Sequence, residues 1–516
     1  MGNRKITSEI MKTLNKLFTA IILLLGFTTA TAQKLNFGDQ GDGTYKNPIL
    51  PADYSDPDVI RVGSHYYMVA SDFHFIGMQV LESEDLVNWR LISQIYDKFD
   101  LPGWEGNNHY GGGSWAPSIR FHDGKFWVYF CTIDDGLMMS NATDPHGPWT
   151  PLYCVKKIPK WEDPCPFWDD DGQAYLGHSV HRAGPIIIHK MSADGKELLD
   201  TGVTVYRGPV AEGTKIMKRN GWYYLIIPEG GVGQGWQTCL RSRSIYGPYE
   251  RRIVLEQGST NVNGPHQGGL VDSPDGKWWF IHFQETNPLG RIVHLEPAEW
   301  DDDWLKIGVD KDGNGIGEPV DVWQKPNNLS NPILPATSDE FNTTLGLQWQ
   351  WNHNPHNDYW SLTENKGFLT IKAEPADDLK SAHNMLTQKI MGYKSTATTT
   401  VDATNIGNAY AGLLCIGKEF RGIGICRGGI YVEENGQRRI VQAGQFKKVR
   451  FRLNIDTNAN AFRLAYNTNN DESRWTYVGE AFPMKNGYWK GARTGVYCYG
   501  NDGKGLFDYF HYDIEK

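Results

Sequence analysis

Gly221-Trp-Tyr-Tyr-Leu-Ile-Ile227 decides the fold, because its pattern stands at four other places in the chain. The others are Gly63-Ser-His-Tyr-Tyr-Met-Val69, Gly124-Lys-Phe-Trp-Val-Tyr-Phe130, Gly172-Gln-Ala-Tyr-Leu176 and Gly276-Lys-Trp-Trp-Phe-Ile281. In each, a glycine turn is followed at once by the aromatic and branched residues of a buried strand. The glycines are separated by 61, 48, 49 and 55 residues. A period near 50 built from short strands is that of a propeller blade, since one four-stranded sheet cannot bury both of its faces alone. Asp85-Leu-Val-Asn-Trp89, His146-Gly-Pro-Trp149 and Tyr246-Gly-Pro-Tyr249 repeat downstream as echoes of an outer strand. Five copies predict a five-bladed β-propeller over residues 33–327, with no amphipathic helical stretch of useful length.

Beyond it, Gln324-Lys-Pro-Asn-Asn-Leu-Ser-Asn-Pro-Ile-Leu-Pro335 is polar and proline-rich, which predicts a linker over residues 328–338. From Asp339 onward, alternating stretches such as Phe368-Leu-Thr-Ile-Lys372, Lys448-Val-Arg-Phe-Arg-Leu-Asn454 and Ala461-Phe-Arg-Leu-Ala-Tyr466 predict a β-sandwich over residues 339–516. The predicted fold class is therefore all-β. At the other end, Lys12 and Lys16 precede an apolar run from Leu17 to Phe27, closed by Ala30-Thr31-Ala32. That order predicts a signal peptide over residues 1–32, cleavage near Ala32 and an exported protein, periplasmic or secreted. Met11 serves equally well as the start, and the run is too short for a spanning helix.

A net charge of −9, or −12 once residues 1–32 are removed, excludes a basic nucleic-acid footprint, so neither nucleic acid nor membrane insertion is expected. The 65 aromatic residues among 516 suit β structure and also stacking on the apolar faces of sugar rings. Seven cysteines with no CxxC spacing form neither a zinc site nor a disulfide framework. They read as small buried hydrophobes, with room for one bridge such as Cys131 to Cys154 or Cys415 to Cys426.

The repeat also says where chemistry can sit. Counting back seven to ten residues from each turn glycine reaches Asp56, Trp115, Asp163, Glu212 and His266. The strand before such a turn is the innermost of its blade, so these five positions converge on the axis at one mouth. Asp and Glu also begin strands beside turns for no chemical reason. A charge facing a narrow channel, however, must be hydrated, paired or used.

Tyr54-Ser-Asp56-Pro-Asp-Val-Ile-Arg-Val-Gly63, Ser114-Trp-Ala-Pro-Ser-Ile-Arg120, Trp161-Glu-Asp163-Pro164 and Glu212-Gly-Thr-Lys215 resemble glycoside hydrolase family 43. The resemblance runs through the whole repeat and into the C-terminal half. It implies a five-bladed propeller that hydrolyses β-D-xylosides and α-L-arabinofuranosides with inversion. It casts Asp56 as general base, Glu212 as general acid, and Asp163 as the residue that tunes the acid and orients substrate. Asp58 stands where serine is frequent and Thr214 where proline is frequent, both departures from the pattern. Arg291, in Leu289-Gly-Arg-Ile292, resembles the family's late arginine that contacts a substrate hydroxyl. His266, in Gly264-Pro-His-Gln-Gly268, resembles a channel histidine that lies beside a central calcium or water in some relatives. A structural Ca2+ near His266 is thus allowed, though no cofactor is required and no metal ligand set is predicted. Trp115 and Phe73 are the candidate pocket walls. Asp339-Glu-Phe341, Leu347-Gln-Trp-Gln-Trp-Asn-His353 and Trp360-Ser-Leu362 resemble the concanavalin-like domain that follows the propeller in family xylosidases. In such relatives it can reach the active-site rim or bind xylan.

The residue chemistry fits those roles. Inversion needs a carboxylate to deprotonate water and a carboxylic acid to protonate the leaving oxygen, roughly 6.5–9.5 Å apart. Glu212 has to hold a proton near neutral pH, and repulsion from Asp163 is expected to raise its pKa. The expected substrates are hemicellulose oligosaccharides derived from xylan, arabinoxylan, arabinan or xyloglucan, cut from the end. Two other readings compete. One is a non-catalytic carbohydrate-binding propeller, disfavoured because all three acids are present. The other is a retaining furanosidase acting on fructosides, whose Asn-Asp-Pro-Asn signature is replaced here by Ser55-Asp-Pro-Asp58. Asp310-Lys-Asp-Gly-Asn-Gly315 imitates the start of a calcium loop, but Pro319 interrupts it and Asp321 holds the twelfth place, so it reads as a turn.

Overall fold

The computed structural model describes residues 36–106, 109–182, 184–327, 329, 332–469, 471 and 473–515; the predicted signal peptide lies outside them. Two 3-10 turns, Asn357–Tyr359 and Leu379–Ser381, are the only helical elements among the described residues. Five antiparallel four-stranded sheets succeed one another along the chain, each built from one contiguous segment. Blade I opens with Asp58–Val62 and ends with Arg90–Gln94. Blade II runs from Trp115–His122 to Tyr153–Lys156, and blade III from Trp161–Trp168 to Val203–Tyr206. Blade IV runs from Lys215–Arg219 to Glu250–Leu255, and blade V from His266–Asp272 to Trp304–Ile307. These are the five blades of the propeller.

The five repeat glycines occupy the turn between the first and second strands of each blade, and all are left-handed, with φ from 63° to 84°. Any other L-residue there would be strained, which is why the turn announces itself in sequence. The aromatic residues after each glycine fill the seams between blades. Tyr67 meets Phe126 edge-on at 5.0 Å, Trp127 meets Trp168 at 5.4 Å, Tyr175 meets Tyr246 at 6.0 Å and Tyr224 meets Trp300 at 4.9 Å. Each pair bridges two neighbouring blades, so the sequence period is the period of interblade packing. Arg61 closes the ring, donating from Nη2 to Asp272 Oδ2 at 2.5 Å and so tying the first strand of blade I to that of blade V.

The ends of the propeller are strapped. Thr44–Lys46 pairs with Gly38–Asp39 on one side and Val322–Gln324 on the other. Lys325, fully buried, lies 2.5 Å from Asp39 Oδ2 and 2.7 Å from Asp85 Oδ2. The chain thus leaves the propeller through a buried ion triad.

The C-terminal part is a sandwich of a seven-stranded and an eight-stranded sheet. Lys448–Asp456 shows the alternation that predicted it: Val449, Phe451, Leu453 and Ile455 are buried, and the residues between them face outward. Its contacts with the propeller are extensive. Backbone N–H of Ile76 donates to Trp351 O at 2.9 Å, Gln350 Nε2 to Gly77 O at 2.6 Å, and Ala492 N–H to Pro288 O at 2.8 Å. One hydrophobic cluster contains Leu50, Ile76 and Leu289 together with Trp349, Trp351 and Met391, so the core continues across the boundary. Gly290 and Gly491 meet backbone to backbone, where a Cβ on Gly290 would stand 2.3 Å from Gly491 N. All seven cysteines lie among the described residues and none is bridged; Cys154 is exposed and Cys426 half-buried, not the uniformly buried set expected. Residues 310–315 form a turn, with the Asp310 carboxylate accepting from the backbone of Gly313 and Gly315.

Lys325→Met would leave Asp39 and Asp85 buried beside each other without their cation. Breaking such a group costs about 3–5 kcal/mol. Denaturant unfolding followed by tryptophan fluorescence is expected to show a midpoint lowered accordingly, and an unchanged midpoint would remove the triad from the stability of the strap.

Candidate active site

The first strand of each blade begins at the same mouth of the channel. Asp56 and Glu212 immediately precede or lie close before their strands, Trp115 and His266 open theirs, and Asp163 is the third residue of its own. A backbone kink recurs beside them. Asp56 (φ 51°), Ala116 (φ 37°), Asp163 (φ 57°) and Gly213 (φ 64°) are all left-handed. The first three each precede a proline, which closes the right-handed helical region to them. Register shifts follow at Trp115/Ser118, Glu162/Cys165 and His266/Gly268. Non-glycine residues in this region are uncommon, and bulged strands re-aim side chains; here they aim them at the axis.

All seven residues singled out in the sequence, Asp56, Phe73, Trp115, Asp163, Glu212, His266 and Arg291, line one chamber of about 160 Å³. At roughly 30 Å³ per water it holds about five waters, the scale of a single sugar ring. A larger cavity of about 370 Å³ lies at the blade turns, lined by Asp58, Arg61, Arg120, Lys215, Lys218 and Asp272. Its acids are spoken for. Asp58 Oδ2 accepts from Arg120 Nη1 at 2.6 Å and from the backbone of Ile119 at 2.9 Å, joining blades I and II. The departure at Asp58 is thus an interblade tie, and it leaves the chamber untouched. Thr214 is fully buried, against Gly177 of blade III.

Within the chamber each acid has a different environment. Asp56 is buried and accepts from Ser71 Oγ at 2.6 Å and from Arg291 Nη1 at 3.0 Å. Ser71 in turn accepts from the backbone of Ala116, and the backbone of Arg291 donates to Asp53 at 2.9 Å. The Arg291 guanidinium lies over Phe283 at 4.7 Å and near Phe73 at 5.5 Å; Phe73 stands edge-on to Trp115 at 5.4 Å. Asp163 accepts from Ser179 Oγ (2.5 Å), Gly213 N–H (2.8 Å) and Gln267 Nε2 (3.0 Å). One oxygen each of Glu162, Asp163 and Glu212 lie within 4.8 Å of one another, a cluster that does not include Asp56.

The proton distribution departs from the expectation. Burial, then repulsion from Glu212, push Asp163 up to about 6 despite its three donors. Burial also raises Glu212, but His266, with Nε2 3.0 Å from Glu212 Oε1, and then Arg291 more than offset it and hold the carboxyl below its ordinary value. Of the two, Asp163 rather than Glu212 is the carboxyl pushed up, the reverse of the expectation that Asp163 would raise Glu212. Asp163 does lie beside Glu212, but the sequence reading gave no weight to the imidazole that lowers the Glu212 pKa.

His266 does not fit as a calcium ligand. It offers an imidazole nitrogen beside one carboxylate, where calcium takes six to eight oxygens, and neither group of three metal-capable side chains among the described residues includes it. The sequence reading missed other chamber residues: Glu162, His181, Arg182, Gln267 and Trp489. Glu162 stood next to Asp163 in a quoted motif and could have been found. Trp489 comes from the sandwich, more than 400 residues from Asp56, and no local pattern points to it.

A five-bladed propeller that gathers four differently partnered carboxylates round a one-ring chamber with aromatic walls defines a glycoside hydrolase. The chain belongs to glycosyl hydrolases family 43, whose model matches residues 45–305, and a beta xylosidase C-terminal concanavalin A-like domain matches residues 338–513. It is 62% identical over 459 residues to a protein of Xylanibacter ruminicola assigned as a beta-xylosidase, covering 89% of this chain and 87% of that one. It is 30% identical to a non-reducing end alpha-L-arabinofuranosidase of Bacteroides ovatus over 77% of each chain. A family 43 protein of Bacillus licheniformis superposes with a TM-score of 0.79 at 25% identity, covering 92% of this chain and all of that one.

His266→Ala removes the group that most opposes protonation of Glu212, so the Glu212 pKa should rise. Glu212 would then stay protonated to higher pH, and the alkaline limb of the kcat/KM profile is expected to move upward. A limb that stays put or moves downward would show that His266 does not control this proton.

Proposed function

We propose that this hydrolase is exo-acting and inverting, and that it releases terminal β-D-xylose or α-L-arabinofuranose from hemicellulose-derived oligosaccharides or side chains. The observation that carries the reading is the division of the acids in one chamber of single-ring size: Asp56 on the Arg291 side, and Asp163 with Glu212 clustered apart from it. Relatives named for β-xylosidase and for α-L-arabinofuranosidase activity support both sugars. A xylopyranose and an arabinofuranose present similar hydroxyl patterns to one compact pocket. The leader composition of residues 1–32 supports export, where such oligosaccharides are met.

In this mechanism a water held by Asp56 loses its proton to that carboxylate as its oxygen attacks the anomeric carbon. The glycosidic bond breaks on the opposite face, and Glu212 gives its proton to the departing oxygen. The released sugar therefore has the inverted anomeric configuration. Asp163, held by Ser179, Gly213 and Gln267, keeps a fixed place beside the acid, where it tunes the acid and orients substrate. Arg291 orients Asp56 and reaches toward a substrate hydroxyl, while Phe73 and Trp115 offer faces to the ring's C–H groups. These steps need no cofactor and place no calcium at His266.

Asp56→Asn and Glu212→Gln are each expected to lower kcat by at least about a hundredfold on an oligosaccharide while leaving the melting temperature within a few degrees. Glu212→Gln should lose far less on an aryl glycoside whose leaving group needs no proton, a discrimination Asp56→Asn should not show. Proton NMR of the first-formed product reads the anomer directly, and retention would overturn the assignment of base and acid. Side-by-side rates on aryl β-xyloside and aryl α-arabinofuranoside rank the two sugars.

A further inference from the structure

The chamber has a closed end and a mouth. Asp56, Phe73 and Arg291 are buried at the closed end, whereas Trp115 and His181 are half-exposed and Arg182 and Trp489 exposed. Trp489 faces Trp115 with ring centroids 6.0 Å apart. If Glu212 protonates the leaving oxygen, the departing group must pass outward along this rim. His181 stands there, its ring edge-on to Trp115 at 5.5 Å, close enough to Glu212 to feel its charge.

His181 is held from behind. Its Nδ1 lies 3.1 Å from Oε2 of Glu162, a buried carboxylate that opposes Ser179 in the hairpin of blade III. A carboxylate accepts from Nδ1–H and thereby fixes the neutral tautomer in which Nε2 carries the lone pair. Burial, followed by Arg182 and Lys160, lowers the His181 pKa against an opposing pull from Glu212, so the ring is neutral. The rim therefore carries an oriented hydrogen-bond acceptor next to two indoles.

Resting on the function proposed above, we propose that His181, positioned by Glu162, is a specificity-determining contact for the sugar on the leaving-group side of the cleaved bond. A saccharide leaving group brings hydroxyl donors to an imidazole acceptor and C–H faces to Trp115 and Trp489. An aryl leaving group brings only the second. The pair Glu162–His181 thus favours cleavage between two sugars over cleavage from an aromatic aglycone.

The test compares kcat/KM for a β-1,4-linked xylobiose and for p-nitrophenyl β-xyloside in the full-length wild type, His181→Phe and Glu162→Gln. Phenylalanine keeps the ring and removes both nitrogens. The disaccharide-to-aryl ratio is expected to fall about five- to tenfold in His181→Phe, the worth of one hydrogen bond, with most of the change in KM for the disaccharide. Glu162→Gln, which leaves the imidazole free to turn over, should lower the same ratio in the same direction. Equal losses on both substrates, or a ratio within about twofold of wild type in His181→Phe, would overturn the contact while leaving the enzyme's function intact. A wild type inactive on both β-xylosides would overturn this contact, and one inactive on aryl α-arabinofuranoside as well would overturn the function with it.

Discussion

Four carboxylates facing one small chamber cannot all be charged on equal terms, and the chamber's chemistry rests on how unequally they are partnered. Asp56 has a guanidinium and a hydroxyl. Glu212 has an imidazole, Glu162 another imidazole, and Asp163 only neutral donors. His266 and then Arg291 hold the Glu212 carboxyl below its ordinary value. The one with neutral partners bears the repulsion of the cluster and takes the proton at about 6. Entry of a sugar, which displaces water and so strengthens every interaction in the chamber, acts on a pair that already titrates as a unit.

The propeller makes that inequality possible because it delivers one residue per blade to a shared axis while leaving each blade free to supply its own partners. Asp163 takes its donors from its own hairpin (Ser179), from blade IV's approach (Gly213) and from blade V (Gln267). Asp56 takes its partners from blade I (Ser71) and blade V (Arg291). Each acid is thus a junction between blades, and its environment depends on ring closure. The left-handed kinks at Asp56 and Asp163 are tolerated for the same reason: Pro57 and Pro164 restrict the backbone, and donors from neighbouring blades fix the carboxylates.

Much of this was legible in the chain. Glycine in a left-handed turn and aromatics in a seam are local demands, so the repeat showed itself at each of five turns, and counting back from the turns reached the axis. Asp56, Asp163 and Glu212 were readable because a strand's start is fixed by its hairpin. What stayed hidden depends on distance across the fold. That His266 rather than Asp163 sets the state of Glu212 follows from a 3.0 Å contact between blades, and no sequence spacing encodes it. The role of Asp58 was hidden likewise, because its partner Arg120 belongs to the next blade. Trp489 lay furthest from view: it is an exposed aromatic in a sandwich loop, and only docking makes it a wall.

That docking does more than add a wall. Behind Arg291 lies Asp53, which accepts from the arginine's own backbone and is flanked by the cations of the sandwich, Lys389, Lys490 and Arg493. Burial raises the Asp53 pKa and lowers those of Lys389 and Lys490, so each charge is tolerable only in the presence of the others. Lys490 and Arg493 lie over Phe75 of blade I, at 4.1 and 4.3 Å, and Trp489 precedes Lys490 in the loop that leads into the strand Arg493–Gly500. The segment that presents an aromatic to the rim is therefore anchored by the charges that steady the Arg291 strand, and Arg291 is the partner of Asp56. A propeller without its sandwich would leave Asp53 facing the space those cations fill, and the orientation of Asp56 would loosen from behind. The sandwich is in this sense part of the chamber: it contributes one wall directly and steadies the Asp56 side through a buried charge network.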